Sequence, residues 1–87
     1  MGKYEVEFLK TALKELKKLP KDIQKKIIEK IERLPEDPYP PDTKKLKNGN
    51  GRFRIRVGNY RIIYKLESDI LVILVIKIGH RRDIYNV

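Results

Sequence analysis

The chain has no cysteine and no tryptophan, and only one histidine and one methionine. Without cysteine neither a disulfide framework nor a thiolate metal site is available, and a reducing compartment is the natural home. A single histidine leaves too few ligands for a transition-metal site, so no metal or other cofactor is expected. No apolar run approaches the roughly 20 residues of a membrane span, and the opening MGKYEVEF has neither the basic nor the apolar part of a secretory signal. Met1-Gly2 begins like a myristoylation site, but Val6 stands where Ser or Thr is needed. The expectation is a cytoplasmic protein with no membrane contact. Carboxylates suited to paired acid-base work are also missing, since Glu67, Asp69 and Asp83 read as turn or tail residues. Nothing matches a phosphate-binding loop or a nucleophile elbow.

What is abundant is positive charge: 21 Lys and Arg against 12 Asp and Glu, a net charge of +9 over 87 residues. This length suits one domain, residues 1–87, with no room for a second module. Such a charge favours polyanions, nucleic acid first among them; solubility or a hot-environment composition would also produce it. Distribution separates these readings. Six of the seven arginines (Arg52, Arg54, Arg56, Arg61, Arg81 and Arg82) fall between residues 52 and 82, and arginine is the side chain suited to forked contacts with phosphate.

KYEVEF, residues 3–8, alternates as a half-buried strand does. Leu9, Ala12, Leu13, Leu16 and Leu19 then recur at helical spacing until Pro20, and Ile23, Ile27, Ile31 and Leu34 predict a second helix over about 21–34. The short join predicts an antiparallel helix hairpin. PEDPYPPD, residues 35–42, holds four of the five prolines and reads as a stiff extended connector, and KKLKNGNG, 44–51, as a basic loop. ILVILVIKI, 70–78, is apolar without alternation, as in a central strand buried on both faces. The fold class expected is α+β, with a helix hairpin covering a small, mainly antiparallel sheet.

RFRIRVGNYRIIYKL, 52–66, carries the functional signal. A two-residue Gly58-Asn59 turn pairs Val57 with Tyr60, Arg56 with Arg61, Ile55 with Ile62 and Phe53 with Tyr64. One face then holds Phe53, Ile55, Val57, Tyr60, Ile62 and Tyr64. The other holds Arg52, Arg54, Arg56, Arg61 and Lys65, interrupted by Ile63. Like charges directly opposite one another cost on the order of 0.2 to 1 kcal/mol, so selection for stability alone gives little reason to keep them. A polyanion on this face would also meet Arg81 or Arg82. For His80 two roles stay open, a structural ring and proton transfer near neutrality. Tyr85 either stacks on an exposed base or docks on the sheet rim.

In this order of elements, and above all in RVGNYRIIY followed by GHRRDIY, the chain resembles the RelE branch of the RelE/ParE superfamily of toxins from toxin–antitoxin operons. The resemblance implies a fold like microbial ribonucleases and a metal-independent, ribosome-dependent endoribonuclease that cuts mRNA in the A site, against 16S rRNA, by attack of the 2'-hydroxyl on the adjacent phosphate. It implies catalytic roles for Arg54, Arg56, Arg61, Arg81 and Tyr85, with Arg52, Lys65, His80 and Arg82 as RNA contacts. Arginine at both 54 and 56 points to electrostatic steering there in place of base catalysis. A RelB-like antitoxin is the implied partner, with Lys14, Lys17, Lys18, Lys25 and Lys26 of the helices as its bed. The sequence ends just past Tyr85, so the C-terminal helix of some relatives is not expected. The alternatives are a ParE-type inhibitor of DNA gyrase and a non-catalytic RNA or ribosome binder.

Overall fold

In the computed structural model, which describes residues 4–46 and 51–82, the chain runs β1 (Glu5–Phe8), α1 (Lys10–Lys17), α2 (Lys21–Arg33), β2 (Lys44–Lys45), β3 (Arg52–Val57), β4 (Tyr60–Glu67) and β5 (Val72–His80). The strands form one mixed sheet in the order β1-β5-β4-β3-β2. Only β1 and β5 run parallel; the other neighbours are antiparallel. The fold is therefore α+β, two helices on one face of a five-stranded sheet.

Apolar periodicity decides which face the helices cover. Ile55, Ile62, Tyr64, Ile73, Val75 and Ile78 from the strands meet Ala12, Leu16, Ile27, Ile31 and Leu34 from the helical layer in a single core. Each fully buried aliphatic side chain contributes about 1.5 to 3 kcal/mol. The join between the helices is held by Gln24, whose Nε2 donates to the carbonyls of Leu19 (2.7 Å) and Lys17 (3.3 Å), satisfying groups that the end of α1 leaves without partners. Tyr64 ties the proline connector to the sheet: its hydroxyl donates to the Pro38 carbonyl at 2.6 Å, and Phe53 lies between the rings of Tyr64 and Tyr39.

The β3–β4 hairpin has the predicted register in every pair. Gly58, at φ 60°, supplies the positive φ that its tight turn requires. Four expectations need correction. Lys44 and Lys45 are not loop residues: they pair with Arg54 and Phe53 as a short edge strand, because β3 offers an open backbone edge there. The central strand starts at Val72, not at residue 70; Ile70 (69% exposed) and Leu71 (45%) form the turn, with Leu71 at φ 55°. That strand is also not buried throughout, since Leu74, Ile76 and Lys77 are half-buried. In α1 the apolar stripe narrows to Ala12 and Leu16, leaving Leu9 and Leu13 more than a third exposed.

Candidate functional site

Strand parity builds the site. The residues of β3 and β4 that alternate with the core ones are Arg52, Arg54 and Arg56, opposite Lys65, Ile63 and Arg61. Lys44, in register with Arg54, joins them from β2. Arg54 and Arg61 thus emerge on the same side of the hairpin, away from the helices. Ile63 sits among these cations yet is only 1% exposed, as expected where long arginine and lysine stems lie over an aliphatic floor.

The fourth strand completes the cluster through an irregularity. Ile63 of β4 pairs with Lys77 but Tyr64 pairs with Val75, so Ile76 is an extra residue on β5 with no partner on β4. This bulge inverts the parity of everything after it. Ile73 and Val75 face the helices before it; Ile78 and His80 face them after it. Gly79 comes opposite Arg61 on the far face, and Arg81 is the next residue of that parity. The Arg81 N–H, donating to the Asn59 carbonyl at 2.8 Å, fixes the chain beside the hairpin turn. Without the bulge Arg81 would fall on the helix side.

Electrostatics report the same convergence. Partial desolvation, then the positive charges of Arg56, Arg54 and Arg81, lower the pKa of Arg61 from the ordinary guanidinium value. Among the described residues, no carboxylate comes within ion-pair distance of Arg54, Arg56, Arg61 or Arg81. Four guanidiniums that repel one another, with no counterion among the described residues, form a surface suited to an anion that bridges them.

Comparison with known proteins gives this geometry a lineage. The sequence profile of the family described as "ParE toxin of type II toxin-antitoxin system, parDE" matches residues 6–85. Toxin RelE3 of Methanocaldococcus jannaschii is 36% identical over 85 residues, 93% of this chain and 94% of the relative. Toxin RelG of Mycobacterium tuberculosis is 30% identical over 84 residues, 95% and 97% of the two chains. The chain belongs to the RelE/ParE toxin superfamily. The fold agrees: the archaeal RelE–RelB complex from Pyrococcus horikoshii superposes with a TM-score of 0.80 at 31% identity, covering 93% of this chain and 97% of that one. The RelB–RelE antitoxin–toxin complex from Methanococcus jannaschii gives 0.75 at 36% identity, covering 92% and 95%.

Within this toxin fold the predicted site residues separate. Arg52, Arg54, Arg56 and Arg61 share one face, and Arg81 joins Arg61. Lys65 lies on that face opposite Arg52 but pairs with Glu67 at 3.6 Å. His80 lies on the other face, in register with Tyr60, its ring edge-on to the tyrosine at 5.5 Å and its Nδ1 accepting the Arg82 N–H at 3.2 Å. Arg82 is exposed at the strand end. Tyr85 lies outside the described residues. Among those residues no three His, Cys, Asp or Glu side chains gather around a metal position, and no helix is long and apolar enough to cross a membrane.

Two participants escape a reading of the sequence. Lys44 is one, since its strand exists only through its partner. Glu15 of α1 is the other: its Oε1 accepts the Ile78 N–H at 2.9 Å and its Oε2 pairs with Lys77 at 3.3 Å. Beyond Val75 the edge of β5 has run past β1, and this carboxylate takes over the strand's role, holding the segment that leads to Arg81. A glutamate on the face of an amphipathic helix gives no sequence sign of that duty.

Proposed function

We propose that this toxin is a ribosome-dependent endoribonuclease that cuts mRNA in the A site. The convergence of Arg54, Arg56, Arg61 and Arg81 on one face of the sheet, without a counterion among the described residues, is the observation that carries the reading. In the reaction the 2'-hydroxyl gives its proton to water as its oxygen bonds to the adjacent phosphorus, the bond to the 5'-oxygen breaks and that oxygen takes a proton from water, and a cyclic phosphate and a free 5'-hydroxyl result. Negative charge grows on the phosphoryl oxygens, where Arg61 and Arg81 stabilise it; preorganised donors of this kind are typically worth about 10² to 10³ in rate each. Arg54 and Arg56 steer the phosphate and orient the 2'-hydroxyl. An arginine does not serve as a base even with a lowered pKa, and His80 is on the far face, so the centre depends on orientation and charge. A codon held by the ribosome supplies the orientation. Tyr85 is assigned to stacking on the substrate base, and the partner controlling the toxin is a RelB-like antitoxin, as in the complexes of the archaeal relatives.

Primer extension on a message translated in extract tests this. Breaks within A-site codons are expected with the wild type, reduced by about 10² to 10³ in rate with Arg81→Ala. Intact message under active arrest contradicts it. The family description also names ParE, and inhibition of gyrase in a supercoiling assay would replace the ribonuclease reading with that one.

A further inference from the structure

The arginine face does not end at the sheet. Two grooves meet at Arg56. One, of about 190 Å³, is lined by Pro41, Asp42, Thr43, Lys44, Arg54 and Arg56. The other, of about 250 Å³, is lined by Lys26, Glu29, Lys30, Arg33, Arg56 and Val57. Both reach Arg56 because β2 covers β3 only opposite Phe53 and Arg54. Past that point, among the described residues, no strand closes the edge at Ile55–Val57, and the cationic surface turns the corner onto α2.

The sequence of α2 places its cations for this. Lys26, Lys30 and Arg33, at spacings of four and three, form one stripe directly beside the buried Ile27, Ile31 and Leu34. The stripe therefore flanks the sheet. Six basic side chains (Lys26, Lys30, Arg33, Lys44, Arg54 and Arg56) line the two grooves against two acidic ones, Glu29 and Asp42. Asp42 is engaged with Lys30 at 3.1 Å. Lys26 and Arg33 are exposed and have no ion-pair partner among the described residues.

We propose that Lys26, Lys30 and Arg33 form a second phosphate track, which receives single-stranded RNA as it leaves the arginine face around the edge at Arg56. This rests on the reading of that face as an RNA site. Continuity favours RNA, since the track shares Arg56 with the cluster. So does chemistry: among the described residues Val57 is the one apolar side chain lining the second groove, so an acidic helix would find a single apolar anchor there, whereas a flexible phosphate backbone needs only successive cations.

The test is binding of uncleavable 2'-O-methyl RNA to the full chain across a salt series, using a trinucleotide and a dodecanucleotide. Lys26→Ala with Arg33→Ala leaves the Lys30–Asp42 pair in place. It is expected to make the slope of log affinity against log salt for the dodecanucleotide less negative by about 1.4, roughly 0.7 for each phosphate no longer neutralised, and to leave the trinucleotide unchanged. Lys14→Ala with Lys17→Ala removes the same charge from α1, outside both grooves, and should change neither slope. Lys26→Arg with Arg33→Lys should keep the wild-type slope, which separates removal of the cations from damaged folding. An unchanged dodecanucleotide slope, or equal losses from both alanine pairs, overturns the proposal. So does loss of binding to a poly-glutamate peptide with RNA binding intact. If no message is cut but the length-dependent loss persists, the ribonuclease reading fails and the track stands; cleavage without that loss removes the track alone.

Discussion

The two faces of the β3–β4 hairpin are built from the same two strands by alternate residues, yet they obey opposite rules. On the helix side Ile55, Ile62 and Tyr64 are fully buried and close the core. On the other side Arg56 is placed directly across from Arg61, and Arg54 and Arg81 add to the repulsion. One face stabilises the fold; the other is tolerated by it. The apolar face holds Arg54, Arg56 and Arg61 together on the opposite side in spite of that repulsion.

Substitutions on the apolar face should produce the largest loss of stability and leave the site chemistry alone. Ile62→Ala, at a position with no exposure, is expected to cost about 2 to 5 kcal/mol in denaturant unfolding, with cleavage per folded molecule unchanged. A selective loss of cleavage at unchanged stability would mean that the two faces are not separable.

Tyr64→Phe is a smaller break on the same face. It leaves the Pro38 carbonyl without its donor, and about 1 kcal/mol should be lost. Its pH behaviour sharpens the point. Burial raises the Tyr64 pKa above the ordinary phenol value of 10.0. The folded state therefore favours the neutral phenol, and its contribution is complete below that value and lost as pH rises through the folded one. Thermal melts of the wild type should fall more steeply above about pH 10 than those of Tyr64→Phe. Parallel curves would remove Tyr64 as the source.

The contrast between the faces was legible where a turn pinned the register. Gly58-Asn59 determines which residues of 52–57 and 60–65 share a side, so period-two alternation alone separates Arg54 and Arg61 from Ile55 and Ile62. On β5 nothing in the sequence marks the register. Val72 to Ile76 is apolar without a break, and the unpaired Ile76 is visible only in the pairing. That single residue decides that Arg81 joins the cluster and that His80, its neighbour, goes to Tyr60. The family resemblance groups His80 with Arg81 toward RNA, although consecutive strand residues point to opposite faces. Lys44 was illegible for another reason: a two-lysine strand has no propensity of its own and exists because β3 leaves an edge to pair with. The helices were the easiest part to read, since their buried stripes follow the 3.6-residue period, and only Leu9 and Leu13 strayed from it.

If the arginine face sacrifices stability for phosphate chemistry, Arg61→Ala measured two ways on one preparation will separate the two. The variant is expected to unfold no more readily than the wild type, gaining on the order of 0.2 to 1 kcal/mol from relieved cross-strand repulsion, while cleaving translated message about 10² to 10³ times more slowly. A variant that unfolds at lower denaturant, or one that still cuts at the wild-type rate, would contradict it.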